Sequence, residues 1–367
     1  MLQILKTSIK NLLGHAFNAS ANKGLFADAV SPMKKSLYDE IKIVSEYLHD
    51  LMLKTTKFVK VNSNLLPIAG ISYTDMQLLS RIPNNPILSM SSNVRFGMDR
   101  YGQIKVLDFR PGGLMQYVNV ATENNNYCNK KYIQSACISP EMLLQSWMVY
   151  VINGYRKYLP LHNCILITED RKEHKFLTYV CRKVGLDIVG TNLDDIHSKG
   201  DSVYFKKHKI DVIIRTKSFQ DIVKNPNLYH DLFDAMYEKT LIIIDPIEEF
   251  IAQSRALQAI LWYLYETQQF YTDEEMEFIG TYMLPTYIVP RMDGPAWIMQ
   301  YFGDEEAKFA SFDDVPMSVM EEEGIIYQYR GDMEFAYNIN SFLIGNRFAG
   351  CTYENKEGKQ EYTFVKK

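Results

Sequence analysis

Long apolar runs are missing from this 367-residue chain: none approaches the roughly 20 residues a membrane-spanning helix needs, which argues against a membrane partner. The opening segment MLQILKTSIKNLLGHAFNAS is amphipathic, with Lys and His interrupting its apolar runs, and reads as a docking helix rather than a signal peptide. Cysteine is scarce. Its five copies, Cys128, Cys137, Cys164, Cys181 and Cys351, are odd in number and lack the close pairing of a zinc or redox site, the pattern of reduced thiols in a cytoplasmic protein. The seven histidines show no ligand spacing, and no G-x-S-x-G, H-E-x-x-H or Walker A pattern occurs. Positive charge is not in excess: 40 Lys and Arg against 44 Asp and Glu give a net charge of -4, which disfavours a nucleic-acid partner. No internal repeat or low-complexity tract is present.

What remains is the composition of an ordinary globular protein, 47% hydrophobic and 23% charged, long enough for two or three subdomains around a real core. Residues 1–60 read as helices, with Leu37, Ile41, Ile43, Val44, Leu48 and Leu51 near helical spacing between Lys35 and Leu53. From 61 to 115 short apolar runs are broken by Pro-Asn-Asn-Pro, Asp-Arg-Tyr-Gly and Pro-Gly-Gly. The second of these predicts a hairpin turn between VRFGM and IKVLDF. A polar loop is expected from Asn124 to about Ile138, then a helix over 139–158 with Ser139 as its cap and Pro140 in its first position. An α/β stretch follows to about 225. Leu241–Ile244, stopped by Asp245 and Pro246, suits a buried parallel strand. Ile251 to Tyr265 has helical period, and Thr272 with Glu275 forms a capping box for a helix that Pro285 ends.

The order and wording of LIIIDPIEEFIAQSRALQAILWYLYETQQFYTDEEMEFIGTYMLPTY (241–287) resemble the glutathionylspermidine synthase family, ATP-grasp ligases that join a carboxylate to an amine through an acyl phosphate. Flanking pieces resemble it too. ILITEDRKEHKFLTYVCRKVGLDIVGTNLDDI (165–196) with IDVIIRT (210–216) looks like the family's Glu-Asp-bearing strand and helix. RFGMDRYGQIKVLDFRPGG (95–113) looks like its metal-carrying hairpin, AWIMQYFGDEEAKF (296–309) stands where the family has a Lys-Pro strand and a Gly-rich loop, and FLIGNRFAGCTYE (342–354) where it closes its core. The resemblance implies an α/β (α+β) ATP-grasp-like ligase fold. Its expected parts are an N-terminal helical segment (1–60), a hairpin-bearing part of the core (61–145), a pre-ATP-grasp α/β subdomain (146–225) and an ATP-grasp-like domain (226–367).

The resemblance also implies a site, and this chain departs from it position by position. Arg95 keeps the transition-state cation. The Asp two residues on falls on Gly97, with Asp99 as a substitute metal ligand, and the family's Glu-x-Asn becomes Asp108-Phe109-Arg110. Asp108 is a competent oxygen ligand, whereas Arg has no acceptor atom. The phosphate-binding Lys at the helix start becomes Arg255, which suits phosphate with different geometry. A second Lys falls on Gln300, and the Gly-rich loop becomes Phe302-Gly303-Asp304-Glu305-Glu306, with Lys308 the nearest compensating cation. Three consecutive carboxylates repel a triphosphate. Gln328 in IIYQYRG stands on the adenine side, and Thr352 replaces an Arg near Glu354.

Plainer readings stand beside these: Asp108 and Arg110 as an exposed surface pair, Arg255 as a solvated helix end, Gln328 as an edge-strand polar residue, and Pro-Gly-Gly as a turn rather than an anion nest. Asn119, Asn124, Asn125 and Asn126 are candidates for a relocated amide ligand. Two functions follow. One is a divergent ATP- and Mg²⁺-dependent carboxylate–amine ligase acting on a peptide-like or amino-acid substrate. The other is a catalytically silent relative that kept the fold as a binding or assembly module for a protein partner. An active site requires Arg95, Asp108 and Arg255 to meet around a cleft; a silent one allows Tyr301, Phe302 or an Asp–Arg pair to fill it.

Overall fold

The computed structural model describes residues 25–69, 79, 88–168, 170–191, 195–216, 226–246, 248–288, 297–301, 308–309, 325–329, 335–355 and 358–366. The N-terminal segment expected to dock as a helix lies outside them.

Strand β1 (Phe26–Lys34) leads directly into helix α1 (Lys35–Val61), whose buried residues Ile41, Val44, Leu48, Met52 and Val59 recur at three and four. The strand corrects the expectation of helix throughout residues 1–60. FADAVSPMK has neither strong alternation nor a β-branched run, and its place is set by parallel pairing with β17 (Gln360–Lys366) at the other end of the chain. The hairpin is as expected: β2 (Ser91–Asp99) and β3 (Ile104–Pro111) flank the Asp-Arg-Tyr-Gly turn. With β15 (Phe335–Ile344) and β16 (Arg347–Glu354) they complete a six-stranded sheet in the order β1-β17-β16-β15-β2-β3.

Alternation divides the faces of this sheet. Val94, Phe96, Ile339, Leu343, Cys351 and Tyr353 join Ile41, Leu48 and Met52 of α1 in one core, where the Ser45 and Ser341 hydroxyls meet at 2.7 Å. Phe342, Ile344 and Ala349 pack on a second core with α2 (Leu114–Lys131) and α3 (Pro140–Arg156). Helix α2 replaces the first half of the predicted polar loop. Asparagine is a weak helix former, but Asn124 is buried and closes the C-terminal strand: its amide donates to the Ser135 hydroxyl and the Thr363 carbonyl, both at 2.9 Å, and its oxygen accepts from the Thr363 N–H at 2.8 Å. Its role is structural. Helix α3 starts at Pro140, with Ser139 in the cap position but making no side-chain cap bond.

A parallel sheet, order β10-β9-β4-β5, is built from β4 (Asn163–Ile167), β5 (Asp187–Gly190), β9 (Val212–Arg215) and β10 (Ile242–Ile244), with a small antiparallel sheet of β6 (Ile196–Lys199), β7 (Ser202–Phe205) and β8 (His208–Ile210) between β5 and β9 in the chain. From β4 the chain goes through α4 (Arg171–Lys183) to β5 on one side, and later to β9 on the other. The order therefore reverses between β4 and β9, and their carboxyl ends flank a crevice there. Beyond β10 the expected single helix is two, α5 (Glu249–Gln253) and α6 (Ala256–Thr267), broken at Ser254 and Arg255. The capping box of α7 (Asp273–Tyr282) forms as predicted, Thr272 and Glu275 each bonding the other's backbone. A smaller antiparallel sheet joins β11 (Thr286–Tyr287), β14 (Ile325–Tyr329), β12 (Trp297–Tyr301) and β13 (Lys308–Phe309). All five cysteines are buried free thiols. Among the described residues no helix is long and apolar enough to cross a membrane.

Candidate functional site

Two polar regions adjoin the sheet's second face. The first is a row across four strands, in which Asp108 of β3 lies opposite Arg95 of β2, Arg95 opposite Asn340 of β15, and Asn340 opposite Thr352 of β16. A bulge makes this alignment: Arg95 faces Asp108 while its neighbour Phe96 faces Val106, so Leu107 is an extra residue on β3. All the cations of the row have carboxylate partners. The Arg95 guanidinium pairs with Glu354, whose other oxygen accepts from the Asn340 amide at 2.5 Å. Asp108 accepts from Arg110 Nε at 2.6 Å and from Arg255 at 3.4 Å through one oxygen, and from Gln258 at 3.2 Å through the other.

The plainer readings change accordingly. Asp108 and Arg110 do pair, but the carboxylate is buried; Arg255 is 5% exposed rather than solvated. Gln328 lies on an interior strand of its sheet, buried, and its amide donates to the Leu107 carbonyl at 3.0 Å. Asp99 stands apart from this group. Four residues along β2 from Arg95, about 13 Å at the usual strand rise, it accepts the Tyr101 and Gln103 N–H groups at 2.8 and 2.9 Å and so shapes the hairpin turn. Gln300 and Lys308 are opposite one another in the β12–β13 ladder. The Phe302–Glu306 loop lies outside the described residues.

Mg²⁺ demands oxygen lone pairs in near-octahedral array. Here both oxygens of Asp108 are taken by donors, two of them guanidinium groups that would repel a second cation at contact distance. Among the described residues no group of three or more His, Cys, Asp or Glu is placed to hold a metal. The residues at Asp108 do not fit Mg²⁺.

The second region is a cleft of about 320 Å³ at the switch point of the parallel sheet. Its floor is made by the strand ends: Arg215 closing β9 and Thr216 after it, Asp245 after β10, and Asp170 and Glu173 at the start of α4. Its rim is the Pro-Gly-Gly turn and the first turn of α2. Gly112 and Gly113 both have left-handed φ, +93° and +78°, and the Gly112 N–H donates to the Ser91 carbonyl at 2.7 Å. Gly113→Ala is expected to lower stability by about 1–2 kcal/mol through this backbone conformation, measurable by urea unfolding.

Charge in the cleft is dominated by carboxylates around one fully buried arginine. Arg215 donates to Glu249 at 2.8 Å and to the Pro246 carbonyl at 3.0 Å, and Thr216 bonds Glu173. Asp245, itself at a left-handed φ of +59°, accepts the Met90 N–H. Burial raises the Asp245 carboxyl well above the usual range, the nearby Glu249 adds to this, and Arg215 and the Met90 N–H oppose it. Burial also raises Glu249, against the pull of Arg215. Ser91 lines the same cleft, and its hydroxyl is buried with no partner among the described residues. Sequence reasoning passed over this cluster. The available signals were Arg215 closing the apolar strand VIIR and Asp245 closing LIII, both at the carboxyl ends where parallel sheets bind ligands.

The sequence model of one family, described as glutathionylspermidine synthase preATP-grasp, matches residues 38–360, and so takes in both polar regions. No curated protein matches the chain.

Proposed function

The chain belongs to the glutathionylspermidine synthase pre-ATP-grasp family, and we propose that within this ligase family it is a divergent, catalytically silent binding module. On this reading it takes a small amino-acid-like or peptide-like ligand, ammonium end inward, in the switch-point cleft, and presents the complex to a protein partner in the cytoplasm. It does not join that ligand to a second substrate at the expense of ATP.

The observation that carries this reading is the engagement of both Asp108 oxygens by protein donors. A phosphoryl-transfer site needs a metal to gather and neutralise phosphate oxygens, and the carboxylate at this position is instead held by Arg110, Arg255 and Gln258. The cleft is a separate matter. Asp170, Glu173, Asp245 and Glu249 around a single arginine suit a cationic group, and the left-handed Pro-Gly-Gly rim lets backbone approach the ligand closely.

The competing reading is a divergent ATP- and Mg²⁺-dependent carboxylate–amine ligase. It draws on the meeting of Arg95, Asp108 and Arg255 in one row, and on the Arg95 Nε, which is buried with no partner among the described residues. A phosphate-release assay with Mg-ATP across amino acids and short peptides separates the two. The binding module gives no release above background while an amine-bearing ligand still raises the melting temperature. Release that Arg95→Ala abolishes would establish the ligase.

Because Asp245 and Glu249 titrate above the ordinary carboxylate range, they become neutral first as pH falls. Affinity for an ammonium-bearing ligand is therefore expected to weaken as pH drops through those raised values, with proton uptake accompanying release. Calorimetry of a diamine at several pH values checks this; a flat profile counts against these two carboxylates as ligand groups.

A further inference from the structure

Helix α3 lacks the charged outer face of an ordinary surface helix. Its 17 residues carry only Glu141 and Arg156, one near each end. Leu144, Met148, Val151 and Ile152 turn inward to the second core. On the opposite side Met142, Val149 and Tyr150, spaced at i, i+7 and i+8, are 56%, 38% and 80% exposed. Ser146 and Asn153 share that side and add no charge. A helix apolar nearly all round belongs in an interior. This stripe, about 12 Å long from Met142 to Tyr150, has no cover among the described residues.

The chain itself carries a matching surface. In MLQILKTSIKNLLGHAFNAS, Leu2, Leu5, Ile9, Leu12, Leu13 and Ala16 recur at three and four, with Lys6, Lys10 and His15 between them and no acidic residue before Asp28. The path from this segment to α3 is short. The Leu25 carbonyl accepts the Gln360 N–H at 2.9 Å, and Leu25 and Phe26 pack on the same core as Leu143 and Trp147 of α3. The stretch from Asn18 to Gly24, seven residues, spans up to about 24 Å when extended. We propose that the apolar side of residues 2–16 packs along the Met142, Val149 and Tyr150 stripe of α3 and covers it. A tether this short holds the segment at an effective concentration of order millimolar, which favours it over a second copy of the chain or a foreign helix.

Hydroxyl-radical footprinting of the full chain is the test, since Met142 and Tyr150 both oxidise when solvent reaches them. The double variant Leu5→Asp with Leu12→Asp is expected to oxidise at both positions roughly threefold faster than the wild type. Tyr237, 60% exposed, should keep its rate, and buried Met148 should stay unreactive, which reports an intact fold. Ser8→Asp with Asn11→Asp adds the same two charges on the polar side of the segment and should leave Met142 and Tyr150 at wild-type rates. Should Met148 become reactive in the Leu double variant, Ile9→Asp alone carries the same comparison. Equal oxidation in the wild type and the Leu variant overturns the proposal, as does equal deprotection by the polar-side variant. Protection that survives the Leu variant but is lost on dilution, with a dimer in sedimentation, assigns the stripe to a second copy and overturns it too.

Discussion

Asp108→Ala is expected to lower folding stability by about 3–5 kcal/mol, the range for breaking a buried charge pair from one side. Arg255 is 5% exposed and faces this carboxylate, and Gln258, also buried, donates to it as well. Truncation takes a counter-charge from Arg255 and an acceptor from Gln258, and neither side chain can reach bulk water without disturbing the start of α6. The sign of the effect is diagnostic. In a carboxylate cluster kept for metal binding, removing one negative charge relieves repulsion, so the metal-free protein gains stability or loses little. In a row whose charges are already paired, removal destabilises. Urea unfolding of the wild type and the variant without added metal gives the answer directly, and a variant as stable as the wild type would mean that Asp108 is a ligand in waiting.

Arg215→Met is expected to cost a similar amount near neutral pH, about 3–5 kcal/mol, and much less in acid. Arg215 and Glu249 expose only 2% and 3% of their side chains. Asp245 is also buried, and the arginine lowers the titration of both carboxyls against the burial that raises them. For a carboxyl whose folded value is raised, the folded state holds a proton that the unfolded state has lost, from about pH 4 up to the folded value. Stability then falls as pH rises through that interval. Without Arg215 both carboxyls are raised further, so the penalty is small where both are protonated, grows as pH climbs, and levels off beyond the new values. Unfolding midpoints at pH 5 and pH 8 should diverge more in the variant than in the wild type. A penalty independent of pH would place its origin in lost packing instead.

Local features were legible in the sequence, and those fixed by distant contacts were not. The Asp-Arg-Tyr-Gly hairpin and the Thr272–Glu275 capping box depend on neighbours a few residues apart, and both formed as read. Strand β1 is held by β17 from the far end of the chain, and Asn124 is helical because Thr363 receives its side chain; neither partner is visible from the local pattern. The same division runs through the site. Arg95, Asp108 and Arg255 could be named from the resemblance, but the burial of the last two and their mutual pairing come from packing α5 and its junction with α6 against β3. The cleft was missed because it gathers residues from the start of α4, the ends of β9 and β10, α5 and the start of α2, each of which alone reads as the end of a strand, a helix terminus or a turn. Only the strand order, reversing between β4 and β9, makes their convergence apparent.

The most direct test of the central claim is calorimetric titration of the wild type with ATP, with and without Mg²⁺, beside Arg255→Ala. A silent module predicts no Mg²⁺-dependent heat at millimolar nucleotide and identical traces for the two proteins. Mg²⁺-dependent binding that Arg255→Ala abolishes would contradict it, and would restore this row of charges as a working nucleotide site.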